Sequence, residues 1–454
     1  MATDTLEVSD LESPITIEHR DALIYMLTEA AELEHAICCQ YLYAAFSLKQ
    51  SAGEGVTPRQ LEAIERWRKI VLGVATEEMQ HLALVNNMLL AVGGAPRVGR
   101  PNFPQRGRYY PPAVQFALLP FGEPALRHFL FLERPEGITL PDAEGFEVVG
   151  EVEPIMTSED IAPRPQDFAT VGHLYRSIEE GFKHLVERHG EDWLFIGPPR
   201  AQATPQSFHW PELTPVTDLA SALVAINTVV EQGEGPRGHW RDAHYGRFLE
   251  ALGEFLEMKR SDPGFEPARP VLAAFVHTPP DSEGGPLVSD ANTARVLDVF
   301  NVAYEVTLHV LARFFGHVDE TDAQLKCLAD AAVYLMITVI KPLGEAITTL
   351  PMGPEHPGMN AGPSFEVFYR AGFLLPHGRS AWIVIHERLV ELDAYLSGLI
   401  VRRQAPATLV PVQEAIRRIA GMFAEHVDEL HTRRIDPPVA WLRLDPSLLD
   451  TEKS

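Results

Sequence analysis

Apolar residues recur three and four apart through two long stretches near the N-terminus, Ile17 to Lys49 and Thr57 to about Leu90, and that spacing predicts two amphipathic helices. The first stripe reads Leu23, Leu27, Ala31, Cys38, Tyr41, Leu42 and Ala45; the second reads Val71, Val74, Leu82, Val85 and Leu89. Ser51-Ala52-Gly53-Glu54-Gly55 ends the first helix, and Thr57-Pro58 gives the second a cap followed by a proline at its first turn, so the two form an antiparallel hairpin. Polar residues intrude on both stripes. Glu34 falls within the first, whereas Glu32 points away and is expected in solvent; Glu78 and His81 fall within the second, with Glu77 at its margin.

These intrusions carry the chemistry. A Glu and a His three apart project from one helix face, and a carboxylate from a neighbouring helix can meet them across a bundle core. Burying carboxylates costs several kcal/mol unless a cation or a proton compensates. The plain alternative is a buried Glu–His pair satisfied by its own hydrogen bonds.

Farther along, residues 93–167 are rich in Pro and Phe, too long for an ordinary connection, and predict an irregular insertion that covers the bundle or shapes a pocket. A third helix, Phe168 to Gly190, has the stripe Val171, Tyr175, Ile178, Phe182, Leu185 and Val186. Glu179 at its edge is the selected third carboxylate, with Glu180 and His173 as alternatives. A fourth helix begins near Thr217-Asp218, breaks at Gln232-Gly233-Glu234-Gly235-Pro236 and restarts near His239 or Asp242, running through His244 to Met258. Glycine and proline inside a helix cost about 1 to 3 kcal/mol each, so the break is either a functional bulge or a helix end and turn. Glu234 lies nearer the apolar stripe than Glu231. The bundle is expected over residues 15–260, a linker over 261–290, and a second helical block over 291–435, with helices Ala291 to Phe315, Ala323 to Leu350, Arg379 to Arg402 and Leu409 to His431. Glu305, His309, His386 and His426 lack a Glu-x-x-His spacing and are read as structural or pocket residues. The apolar face of Trp382, Ile385 and Leu389 packs internally or forms a homodimer, with packing the favoured reading.

The 38 Lys+Arg against 63 Asp+Glu give 454 residues a formal charge of −25, which disfavours nucleic acid or an anionic membrane as partner. Three cysteines, two of them adjacent, make neither a disulfide framework nor a zinc-finger pattern, and fit a reducing cytoplasm. Met1 to Pro14 is acidic where a signal peptide is basic, and no run approaches the ~20 apolar residues of a membrane span.

Inward carboxylates with one or two imidazoles suit iron or manganese better than the sulfur-rich structural zinc sites. Two such metals, bridged by carboxylates and with open positions, can bind dioxygen and take electrons from a substrate or give it an oxygen atom. Cys38 and Tyr41 follow Glu34 by one and two turns on the same face and are the candidate groups beside the metals.

Glu32-Leu33-Glu34-His35, Gln40-Tyr41-Leu42-Tyr43-Ala44-Ala45, Glu78-Met79-Gln80-His81-Leu82, Arg100-Pro101-Asn102-Phe103-Pro104 and Gln232-Gly233-Glu234-Gly235 together resemble the ferritin-like family related to iminophenyl-pyruvate dimer synthase. The resemblance covers about Ile17 to Met258 and implies an all-α, ferritin-like four-helix bundle in bacterial secondary metabolism, where an amino-acid-derived amine or imine is oxidised or coupled. Arg237 stands where the ferritin pattern has His, three residues after Glu234, so His244 becomes the substitute. The expectation is an oxidoreductase with two irons (manganese the alternative) and dioxygen, in which Glu34, Glu78 and His81 hold one metal while Glu179, Glu234 and His244 help with the other. Its rivals are an iron-binding protein without an organic substrate, a mononuclear metal enzyme and a metal-free scaffold.

Overall fold

The hairpin is built from its caps inward. Helix α1 (Arg20–Ser47) ends in a turn closed by Glu54, whose Oε1 accepts from the backbone N–H of Gln50 at 2.7 Å and of Ser51 at 3.1 Å. Gly55 follows at φ +81°, a left-handed conformation that a side chain would strain. Thr57 and Gln60 then cap each other reciprocally and start α2 (Pro58–Ala91).

The computed structural model describes residues 11–106, 110–112, 114–146, 157, 159–163, 165–235, 240–279, 282–367, 377–402 and 405–427. Arg237, His239 and the expected end of the last helix at His431 lie outside them. After the hairpin come α3 (Glu123–Leu132), α4 (Val171–His189), α5 (Leu219–Gly233) and α6 (His244–Ser261). Helix α4 packs on α1, and α5 packs on both α4 and α2, so α1, α2, α4 and α5 close a four-helix ring. Helices α3 and α6 lie side by side at its flank, with α6 also touching α2.

The second block contains α7 (Ala291–Phe315), α8 (Asp322–Leu335), α9 (Gly378–Ile400) and α10 (Leu409–Ala424). From α8 the chain continues through one π-helical stretch, Met336–Ile340, into Lys341–Ile347, which packs on α1. Helices α9 and α10 pair, and α7 and α8 pack against them. Trp382, Ile385 and Leu389 are buried within this block, so that apolar face is used inside the chain. A single apolar cluster runs from Ile15 to Phe423 through bundle and block alike. By length and composition alone, Asp322–Ile347 could cross a membrane, the one such helix among the described residues; here Leu328, Ala331, Ala332 and Leu335 are core residues.

The 261–290 stretch is anchored at residues 269–272. Val271–Leu272 pairs in parallel with Asn360–Ala361. Arg269 donates from Nε to Glu54 Oε2 at 2.6 Å and from Nη1 to Thr348 Oγ1 at 2.8 Å, joining the α1–α2 turn to the second block. Glu32, expected in solvent, is instead buried, with Arg97 Nε donating to its Oε1 at 2.7 Å. An arginine reaching over from the insertion supplies the charge partner that the helical wheel could not show.

Candidate metal centre

Helix α1 brings Glu34 to the middle of the ring, and α2 brings Glu78 and His81 opposite it, all three buried. His81 Nδ1 lies 3.0 Å from Glu78 Oε2 and 3.5 Å from Glu34 Oε2. The end of α5 at Gly233 and its C-cap at Glu234 turn the chain away, and after the turn α6 opens on His244. The break is therefore a helix end with a turn, and it delivers His244 to the interior. His244 Nδ1 lies 2.8 Å from Glu78 Oε1 and 3.5 Å from the Oε2 of Glu133, the residue that ends α3.

Glu78 is thus shared. Its two oxygens face different imidazoles, and two groups result, Glu34–Glu78–His81 and Glu78–Glu133–His244, each with donor atoms close enough to hold one metal ion. The remaining oxygens of the unshared carboxylates are taken by buried tyrosines: Tyr175 donates to Glu34 Oε1 and Tyr41 to Glu133 Oε1. Each of those carboxylates keeps one oxygen free for its group.

The carboxyls and imidazoles shift one another strongly. Burial, then Glu78, pushes the Glu34 carboxyl up to about 8. Burial alone would lower His81, but the Glu78 and Glu34 carboxylates hold it at about 10, and Glu78 with Glu133 raises His244 in the same way against its burial. Glu78, which burial would raise, is held well below the carboxylate range by the two imidazoles. Nδ1 of His244 makes no well-directed hydrogen bond in spite of its closeness to Glu78. Three buried carboxylates and two inward imidazole nitrogens, partly unsatisfied by one another, are a donor set that suits divalent iron or manganese.

Behind the rings, His244 Nε2 meets Glu77 Oε2 at 2.8 Å and His81 Nε2 meets Gln232 Oε1 at 2.8 Å. Burial would raise Glu77, but His244 and Arg247 hold it at about 2.

The other expected site residues are placed as follows. Glu234 is in neither group; it forms the far wall of a cavity of about 20 Å³ whose other walls include Glu34, Glu78, His81, Glu133 and Tyr175, space for one water-sized molecule. Its Oε2 accepts from the Glu136 N–H at 3.1 Å, its Oε1 is buried without a hydrogen-bond partner, and burial raises it to about 7. Glu179 is at the outer side of α4, ion-paired with Lys183 at 2.6 Å, and Glu180 is exposed beside the same lysine. Glu231 is exposed on α5, outside both groups. His173 is buried at the start of α4 against Ser13 O, 3.0 Å away. Cys38 Sγ points to Ala75 O at 3.4 Å, and Tyr41 reaches the centre through Glu133. Glu133 itself was missed. Its signal is on the helical wheel: Leu126, Phe129, Leu130 and Glu133 share the buried face of α3, so an acid again stands in an apolar stripe.

A four-helix ring with a carboxylate–histidine interior is the architecture of a ferritin-like protein. Residues 27–252 match the family model described as Ferritin-like, and the chain belongs to that family. It is 30% identical over 402 residues to a dichlorochromopyrrolate synthase of Lentzea aerocolonigenes, matching 81% of this chain and 38% of the relative. It is 29% identical over 378 residues to a 2-imino-3-(indol-3-yl)propanoate dimerase of Chromobacterium violaceum, matching 77% of this chain and 34% of the relative. The chain therefore spans between a third and two fifths of the length of these curated relatives. A ferritin-like protein from Caulobacter vibrioides, of solved structure, aligns at 18% identity with a TM-score of 0.42, covering 70% of this chain and 95% of that one.

Proposed function

We propose that the chain is a di-iron oxidoreductase that uses dioxygen to oxidise or couple an amine or imine derived from an aromatic amino acid. The observation that carries this reading is the shared Glu78 carboxylate between two buried His–Glu groups, joined to the similarity to an enzyme named for dimerising 2-imino-3-(indol-3-yl)propanoate and to a dichlorochromopyrrolate synthase. Glu34, Glu78 and His81 would hold one metal and Glu78, Glu133 and His244 the other; when bound, the pair supplies two-electron redox chemistry with dioxygen. Oxidation of an amine to an imine releases two electrons and two protons; dioxygen would take up the two electrons and, with two protons exchanged through solvent, leave as hydrogen peroxide.

This chain's own residues have distinct parts in that scheme. Tyr41 and Tyr175 hold Glu133 and Glu34 so that each offers one oxygen. Glu78 keeps the two groups in register. Glu234, with an unpartnered oxygen on the cavity wall and a carboxyl at about 7, is suited to take a proton from a substrate nitrogen near neutral pH and return it to solvent. A wider pocket of about 290 Å³ shares Gly172, Val230 and Glu234 with the inner cavity as wall residues and would give an organic substrate room that the inner cavity lacks.

The test is dioxygen uptake by iron-loaded protein with and without a 2-imino acid generated from an aromatic amino acid. Uptake that depends on the organic substrate and disappears in Glu78→Ala and His81→Ala supports the reading. Iron that is oxidised and retained with no response to the substrate overturns it in favour of an iron-binding protein.

A further inference from the structure

The two imidazoles facing the centre are held from behind by different chemistry. His244 Nε2 is 2.8 Å from a carboxylate, Glu77, and Arg247 fixes that carboxylate by donating to both of its oxygens. His81 Nε2 is 2.8 Å from a neutral amide oxygen, that of Gln232. The amide's orientation follows from its other end: Gln232 Nε2 donates to Glu212, and a carboxylate only accepts. In both rings, then, Nε2 carries the hydrogen and Nδ1 is presented to the centre.

The inner donors are matched. Each group has one imidazole, one private carboxylate and one oxygen of Glu78, and each private carboxylate carries one tyrosine donor. The difference lies behind the rings. An imidazole whose N–H is given to a carboxylate is a stronger donor at its other nitrogen than one whose N–H is given to an amide. The Arg247 charge tempers the long-range field of Glu77 but leaves that hydrogen bond in place.

We propose that Glu77 and Gln232 act as positioning residues that make the two metal positions unequal, so that the His244–Glu133–Glu78 position binds a divalent cation before, and more tightly than, the His81–Glu34–Glu78 position. This rests on the dimetal reading above. It is tested by titrating the metal-free 454-residue chain with Mn²⁺ under argon, following heat and bound ion, in the wild type, Glu77→Gln and Gln232→Glu combined with Glu212→Gln. Two separated steps are expected in the wild type. Glu77→Gln keeps an acceptor oxygen but loses the charge, and weakens the first step about 10- to 100-fold, the range for outer partners of metal-bound histidine, while leaving the second in place. Gln232→Glu, made together with Glu212→Gln so that the new carboxylate faces an amide donor instead of a second carboxylate, strengthens the second step, a gain that a merely structural role would not produce. If Glu77→Gln fails to fold by circular dichroism, this double variant, with Gln232 at a partly exposed position, decides alone. Two indistinguishable steps in the wild type, equal weakening of both steps in Glu77→Gln, or no gain in the double variant overturns the inequality and leaves the dimetal centre standing. A wild type that binds no Mn²⁺ overturns both.

Discussion

Truncating Glu133 to Ala separates what this residue does for the fold from what it does for a metal. Its Oε1 accepts the Tyr41 hydroxyl and its Oε2 faces His244 at 3.5 Å. Tyr41 is fully buried, so the substitution strands a phenol hydroxyl, at a cost of about 1–3 kcal/mol. Adding Tyr41→Phe removes the stranded group and is expected to recover much of that loss. Metal is affected differently. Glu78 Oε2, Glu34 and His81 are untouched, so one metal position survives, while the other drops to two protein donors and loses more than the 10- to 100-fold that an outer partner is worth. At about 1.4 kcal/mol per tenfold, that exceeds about 2.8 kcal/mol. The assay is iron per chain by elemental analysis, alongside urea unfolding of the metal-free proteins. The expected counts are about two in the wild type and one in both Glu133→Ala and the double variant, with stability restored only in the double. Glu133→Ala retaining both metals, or losing both with unchanged stability, would refute the assignment of Glu133 to one position.

Tyr175→Phe leaves Glu34 Oε1 without its donor and is expected to destabilise the metal-free protein by about 1–3 kcal/mol, read by urea unfolding. Gly172→Ala places a methyl 2.0 Å from Glu234 Oε1 and 2.5 Å from its Cδ, so the carboxylate must leave the Glu136 N–H; a loss of about 1–3 kcal/mol in urea unfolding is expected, together with a fall in substrate-dependent dioxygen uptake. Away from the centre, Glu320 accepts Arg313 Nε at 2.5 Å, Arg313 Nη2 at 2.6 Å and the Trp382 indole N–H at 3.1 Å. Burial opposes its charge, but Arg313 and Trp382 hold the carboxyl at about 2. A carboxyl lowered on folding stabilises above its unfolded value of about 4.5 and loses that contribution as pH falls toward 2. The melting-temperature gap between wild type and Glu320→Gln is therefore expected to be constant from pH 6 to 8 and to close below about pH 4.5; a constant gap at all pH values would contradict the ion pair.

Residues whose neighbours lie on long, regular helices were legible in the sequence. Glu34, Glu78 and His81 sit on α1 and α2, where helical period alone decides which way a side chain faces, and these three meet in the structure. His244 was located as the histidine after the break, although the period of α5 ends before it. Glu133 was not found because it lies in a Pro- and Phe-rich stretch, at the end of a ten-residue helix too short to announce itself beside the long ones. Glu179 was selected by its nearness to the stripe of α4, yet Lys183 one turn later was already a competing partner in the sequence. Glu32 shows the converse limit: the wheel gives a side chain's direction, while its burial depended on Arg97 arriving from another segment.

The shared carboxylate has a consequence for motion. Glu34, Glu78 and His81 belong to the four-helix ring, whereas Glu133 ends α3 and His244 begins α6, the pair of helices on its flank. An ion in the second position would be a rivet through that seam, and any local opening that lifts α3 or α6 from the ring would have to release it first. Such opening becomes rarer by the ratio of free ion to its dissociation constant. Amide exchange in α3 and α6 should therefore slow on metal loading far more than in the remote pair α9 and α10, making the flank the part of the molecule whose breathing reads out whether the centre is filled.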